Sequence, residues 1–139
     1  MDTPLSLSEE TRATAGLILL TIVTIESGGL LSLRVLRGRH PMTAFQQAFA
    51  RAGHAHAGVL ATLALVCQIL ADAAELSGWL AIFARNGIWV AAILMSAGFF
   101  LSSAGRGVNA PNRLFVLVYA GAVSLAVGVV SLGIGLLTT

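Results

Sequence analysis

The sequence has very little charge. Only 10% of its 139 residues are Asp, Glu, Lys or Arg, whereas 57% are hydrophobic and the mean hydropathy is +0.89. A water-soluble domain usually carries about 25% charged residues. This chain has too little polar surface to face water on all sides, so lipid must cover most of it. The composition therefore predicts a single integral membrane domain.

Other absences narrow the function classes. With one cysteine, Cys67, the chain cannot form an internal disulfide. The N-terminal stretch MDTPLSLSEETRATAG begins acidic and polar, without the basic start of a cleavable signal peptide. The sequence has no serine nucleophile elbow, HExxH zinc helix, phosphate loop or CxxC pair. The net charge is only +2. We attribute this small basic excess to the residues that orient a membrane protein, and no nucleic-acid partner is expected.

Four hydrophobic runs are long enough to cross a bilayer, which takes roughly 20 residues. The predicted spans cover about residues 13–33, 50–73, 87–105 and 114–137. Between the second and third spans, ELSGWLAIFARN is interpreted as an interfacial segment or as a helical extension of the third span. The sequence predicts an all-α integral membrane protein with four transmembrane helices in one bundle.

Basic residues are concentrated in alternate loops, which predicts the orientation. The first connection carries Arg34, Arg37, Arg39 and Arg51, and the third carries Arg106 and Arg113. The N-terminal tail and the second connection are mainly acidic. Because positive loops stay in the cytoplasm, the first and third loops are predicted to be cytoplasmic and both termini outside. We expect a multi-pass protein of the cytoplasmic (inner) membrane.

Polar residues within the spans are candidates for chemistry. Glu26 lies in the first span about 12 Å before Arg34, at 1.5 Å per residue, where exposure to lipid would cost at least ~2.5 kcal/mol. His54 and His56 enter the second span from the same side and lie about 200° apart on a helix, so they cannot both bind one metal. We expect Glu26 within hydrogen-bond reach, directly or through one water, of one of these histidines. The alternatives are a protonated Glu26 bonded to backbone and histidines solvated at the rim.

Further polar residues are predicted to complete a pocket in the cytoplasmic half. Tyr119 and Ser102 lie at a depth compatible with Glu26, and Arg51 provides a counter-charge at the mouth. Asn109 and Asn112 lie in the adjacent loop. The predicted catalytic residues are Glu26, His54, His56 and Tyr119, and the predicted pocket residues are Arg51, Ser102, Asn109 and Asn112.

The pattern Arg51-x-x-His54-x-His56 resembles the RxxH or GHAH span entry of haem-copper oxidase subunit I and its small relatives. In that superfamily a histidine at this place is an axial ligand of the low-spin haem. The resemblance covers about a dozen residues and implies His54, or with less support His56, as a haem ligand. The second ligand would then come from a dimer or from a side chain other than histidine.

Four functions remain open from the sequence. The first is a membrane-embedded enzyme that uses acid–base chemistry on a lipophilic small molecule, as an isomerase, cyclase or hydrolase, with no cofactor required. The second is a haem- or metal-binding redox protein. The third is a proton-coupled transporter with Glu26 as proton carrier. The fourth is an accessory subunit whose polar cluster docks a partner span.

Small residues recur along the fourth span and allow close helix packing. They are expected to pack within the bundle, or else to form the seam of a homo-oligomer surrounded by membrane lipid. The residues are Gly121, Ser124, Gly128, Ser131, Gly133 and Gly135.

Overall fold

The computed structural model describes residues 6–138, so Asp2 of the acidic tail lies outside them. The described residues form four α-helices without any strand: α1 (Glu9–Leu36), α2 (Ala44–Ala73), α3 (Gly78–Ser102) and α4 (Val116–Thr138), with a 3-10 turn at Arg113–Phe115 leading into α4. All four are long and apolar enough to cross a membrane. The prediction of an all-helical fold with four helices able to cross a membrane is confirmed.

The first two helices begin earlier than the predicted spans because capping residues determine where they start. The Ser8 hydroxyl accepts a hydrogen bond from the Thr11 backbone N–H at the start of α1. At α2, Thr43 and Gln46 form a capping box, so the helix begins at Ala44 rather than near residue 50. Hydrophobicity indicates which part of a helix can lie in lipid, whereas capping residues mark where the helix begins.

The third helix also begins earlier, at Gly78 rather than near residue 87. Trp79 and Arg85 therefore lie on α3 itself, and the segment ELSGWLAIFARN is mainly a helical extension of the third span. Arg85 is buried within this helix, and its side chain pairs there with a carboxylate, that of Asp72.

The tightest packing in the bundle is between α3 and α4. A Cβ placed on Gly87 would lie 2.7 Å from the Cα of Gly128, so the two backbones touch. The Ser124 hydroxyl donates a hydrogen bond of 2.8 Å to the Gly87 carbonyl. Most of the small residues of α4 are thus buried within the chain. A homo-oligomer through this face stays a prediction.

Helix α1 packs mainly against α2, and α2 packs against α3. Hydrogen bonds between sequence-distant residues define the two ends of the bundle. Ser8 bonds Asp72 at the end where α1 begins, which we call the N-terminal end. Thr43 bonds Val108 at the opposite end, where the α1–α2 and α3–α4 loops meet. We call this the arginine-rich end.

Candidate functional site

The structure does not bring Glu26 to the histidines. Its side chain is exposed, and among the described residues it has no hydrogen-bond or ion-pair partner. The side of α1 that faces α2 is marked by Gly28, because a Cβ there would lie 2.9 Å from Nδ1 of His54. Glu26 precedes Gly28 by two residues, about 200° around the helix, so it points away from α2. The expected direct Glu26–histidine hydrogen bond is absent.

His54 and His56 diverge as their spacing predicts. The His54 ring lies between α1 and α2, half-buried over Gly28. Nδ1 of His56 is 2.7 Å from the Ala52 carbonyl oxygen of its own helix, and its ring packs against Phe99 with centroids 5.1 Å apart. His56 is therefore held by its surroundings, whereas neither nitrogen of His54 has a hydrogen-bond partner among the described residues.

The remaining predicted residues do not converge on His54. Tyr119 is 65% exposed, with its ring against Phe115 at 5.3 Å. Ser102 is buried and its hydroxyl donates to the Phe99 carbonyl, one turn earlier on α3. Ser102 and Tyr119 therefore have structural contacts in this fold.

The three pocket residues at the arginine-rich end also separate. Asn112 organises the α3–α4 loop: its amide donates to the Leu101 carbonyl and its Oδ1 accepts from the Leu114 N–H. Asn109 is exposed and bonds the Gly107 carbonyl. Arg51 is exposed on α2, where it borders a separate small cleft.

A groove runs between α1 and α3, with α2 as its floor, and His54 lies in it. It consists of two adjoining cavities of about 390 Å³ and 340 Å³, which share Thr24, Ile25 and Ala57. The larger begins at Thr14, and the smaller contains His54. Because α1 packs mainly on α2, none of the four described helices fills the space between α1 and α3.

The groove opens sideways, toward the surface that lipid would cover. Its rims are Leu17 of α1 and Ile93 of α3, which are 67% and 59% exposed. Its floor contains Ala61, which is only 6% exposed. The small side chains of the floor leave the space that the groove occupies.

Most of the groove lining is apolar, and most of its hydroxyls are already bonded. Thr21 and Thr24 donate to carbonyls of α1 one turn earlier. Ser96 differs, because its buried hydroxyl oxygen has no hydrogen-bond partner among the described residues. The Ser96 oxygen is buried, whereas His54 is half-buried and is the unpartnered polar side chain that a ligand in the groove can reach.

A second polar cluster, at the N-terminal end, was not recognised from the sequence. The Arg85 guanidinium pairs with the Asp72 carboxylate at 2.6 Å, with side chains 9% and 6% exposed. It also donates to the Thr11 hydroxyl at 2.6 Å. The Gln68 amide donates to the Arg85 carbonyl at 2.7 Å, and Asp72 accepts from Ser8. This network joins α1, α2 and α3.

Two sequence signals could have pointed to the network. Gln68 and Asp72 are four residues apart, which places them on one face of α2. Arg85 lies in an otherwise apolar segment, where an arginine needs a partner. The polar groups of the network bond one another, so we interpret it as a structural link between α1 and the rest of the bundle rather than as a reaction site.

Within residues 6–138 no group of three or more His, Cys, Asp or Glu side chains could hold a metal ion. His40 lies in the α1–α2 loop, 14 residues before His54, and His56 faces Phe99. These placements do not assemble two imidazoles around one haem within a single chain. The haem-ligand role of His54 stays a prediction.

Comparisons with known proteins add no identification. No protein-family model, curated protein or solved structure matches this chain.

Proposed function

We propose that this membrane protein binds a lipophilic small molecule in the groove between α1 and α3, and that His54 acts on the polar group of that molecule. The observation that carries the proposal is a laterally open apolar groove that contains an unpartnered histidine. Binding sites for small molecules are usually apolar, with a few polar groups that fix orientation.

The chemistry that His54 offers is proton transfer and hydrogen bonding. A neutral imidazole presents one donor and one acceptor, and histidine exchanges its proton near neutral pH. An isomerase, cyclase or hydrolase acting on a lipophilic substrate needs such a group. In this proposal the acid–base role belongs to His54 without Glu26, because Glu26 points away from α2.

Ligand binding can be measured through Trp89, which lines the groove. In a Trp79→Phe background, Trp89 is the single tryptophan, and energy transfer to a fluorescent polyene fatty acid reports occupancy. We expect Ala57→Phe to weaken binding at least about tenfold, because the ring would fill the junction of the two cavities. His54→Leu should weaken binding about fivefold, because leucine removes the hydrogen bond that the imidazole offers.

The matched control is Ala126→Phe, which adds the same ring at an exposed position of α4 away from the groove. It should leave probe affinity unchanged. Equal probe affinities of the Ala57→Phe and Ala126→Phe variants would show that the probe does not occupy the groove, and the proposal would fail.

We infer that the arginine-rich end faces the cytoplasm, with both termini outside and the protein in the cytoplasmic membrane. Six of the eight basic residues lie at this end, in support of the positive-inside orientation. In a Cys67→Ala background, Ala110→Cys in the exposed α3–α4 loop should resist a membrane-impermeant thiol reagent in intact cells, whereas Ser77→Cys should react. The opposite labelling pattern would reverse the orientation.

A further inference from the structure

The arginine-rich end carries strong positive charge without compensation. Its six arginines are all exposed, and none has a side-chain hydrogen bond or an ion pair among the described residues. Every acidic side chain of residues 6–138 lies on α1 or at the N-terminal end, none in either loop of the arginine-rich end. The six residues are Arg34, Arg37, Arg39, Arg51, Arg106 and Arg113.

The structure joins the two arginine-bearing loops into one surface. Gln46, at the start of α2, donates to the carbonyls of Ser103 and Gly105 at 3.0 and 2.8 Å. Thr43 donates to the Val108 carbonyl at 2.5 Å. The α3–α4 loop is therefore fastened against the start of α2. Charges that are far apart in sequence form one basic surface.

Arg51 borders a cleft between α1 and α2 on this surface. The cleft has a volume of about 70 Å³, and Leu31 and Val35 of α1 form part of its apolar wall. A guanidinium beside an apolar wall matches the chemistry of a phospholipid, whose phosphate is joined to acyl chains. The chain contains no lysine, so all of this charge is on guanidinium groups, which can bind phosphate oxygens in pairs.

We propose that the arginine-rich end binds anionic phospholipid headgroups, with a phosphate held at Arg51. This inference is independent of the groove and of any reaction there. A lipid is favoured over a nucleic acid because the surface closes the ends of four apolar helices, which places it at headgroup level. Clusters of basic residues next to spanning helices attract anionic lipids.

The test uses native mass spectrometry of the detergent-purified full chain with phosphatidylglycerol or phosphatidylcholine added. We expect preferential adducts with phosphatidylglycerol. Arg51→Gln should reduce affinity about fivefold, the effect of one basic residue near an anionic surface. Arg51→Lys should restore part of it, because lysine keeps the charge but loses the paired geometry.

Arg12→Gln is the matched control, since Arg12 is an exposed arginine on α1 at the N-terminal end. It should leave the adducts unchanged. Equal binding of the two lipids would overturn the proposal, as would equal losses from Arg51→Gln and Arg12→Gln. Displacement of phosphatidylglycerol from the wild-type chain by a short RNA, with no reversal by excess lipid, would assign the surface to nucleic acid instead.

Discussion

The α3–α4 and α1–α2 interfaces use glycine in different ways. At the first, Gly87 and Gly128 bring two backbones into contact, and a Cβ added to Gly87 would meet backbone atoms of α4 at 2.7 to 2.9 Å. At the second, Gly28 makes room only for the His54 side chain, while a Cβ on neighbouring Gly29 would meet nothing within 4 Å. The α3–α4 pair is a close-packed scaffold, whereas α1 is a loosely packed wall that leaves the groove open.

The largest loss of stability is expected from breaking the network of Arg85, Asp72 and Thr11 that links α1 to α2 and α3. Arg85→Met leaves the Asp72 carboxylate without its counter-charge, although its bonds from Ser8 remain, and removes the bond to Thr11. Losing one partner of a buried ion pair costs about 3–5 kcal/mol. The free energy of unfolding, measured by SDS titration in detergent, should fall by that amount.

The double variant Arg85→Met with Asp72→Leu provides the control. Replacing both partners by apolar side chains is often neutral, so the double variant should recover to within about 1 kcal/mol of the parent. A small loss for Arg85→Met alone would show that the pair is solvated and does not hold α1.

A Gly→Ala substitution should have different effects at the two interfaces. Gly87→Ala should lower the free energy of unfolding by about 1–3 kcal/mol, because its methyl group overpacks against the α4 backbone. Gly28→Ala should cost less, because the His54 ring can turn away. It should instead weaken binding of the polyene probe, since the ring moves within the groove. Denaturation and the Trp89 assay measure these two effects.

Gly29→Ala is the matched control beside Gly28, in the same helix and one residue on. It should change stability by less than about 1 kcal/mol, and in the stabilising direction, because alanine has the higher helix propensity. Equal stability losses for Gly87→Ala and Gly28→Ala would contradict the distinction between the two interfaces.

Much of the fold could be predicted from local sequence. Composition and run length predict four apolar helices, and the two-residue spacing of His54 and His56 predicts that they diverge. The helices α2 and α3 begin before the predicted spans, at Ala44 and Gly78. Thr43 and Gln46 form a cap that hydrophobicity does not reveal, whereas the helical extension of α3 over ELSGWLAIFARN is one of the two interpretations that the sequence allows.

The candidate site was predicted less well, because it depends on which helix faces meet. Depth along a span can be counted from sequence, and it placed Glu26 and His54 at similar levels. Rotation about the helix axis is set by packing, and Gly28 rather than Glu26 faces His54. Ser96 carried no sequence signal, since an unbonded hydroxyl is recognised only once its neighbours are known.

The sequence by itself determined that this protein has four helices able to span a membrane and that its basic residues gather in alternate loops. Both properties follow from composition and from the fixed rise of a helix. The tertiary structure decided that Arg85 pairs with Asp72, that His54 faces a groove, and that Thr43 and Gln46 join two loops into one basic surface. These features require contacts between residues far apart in the chain, and only packing selects which faces come together.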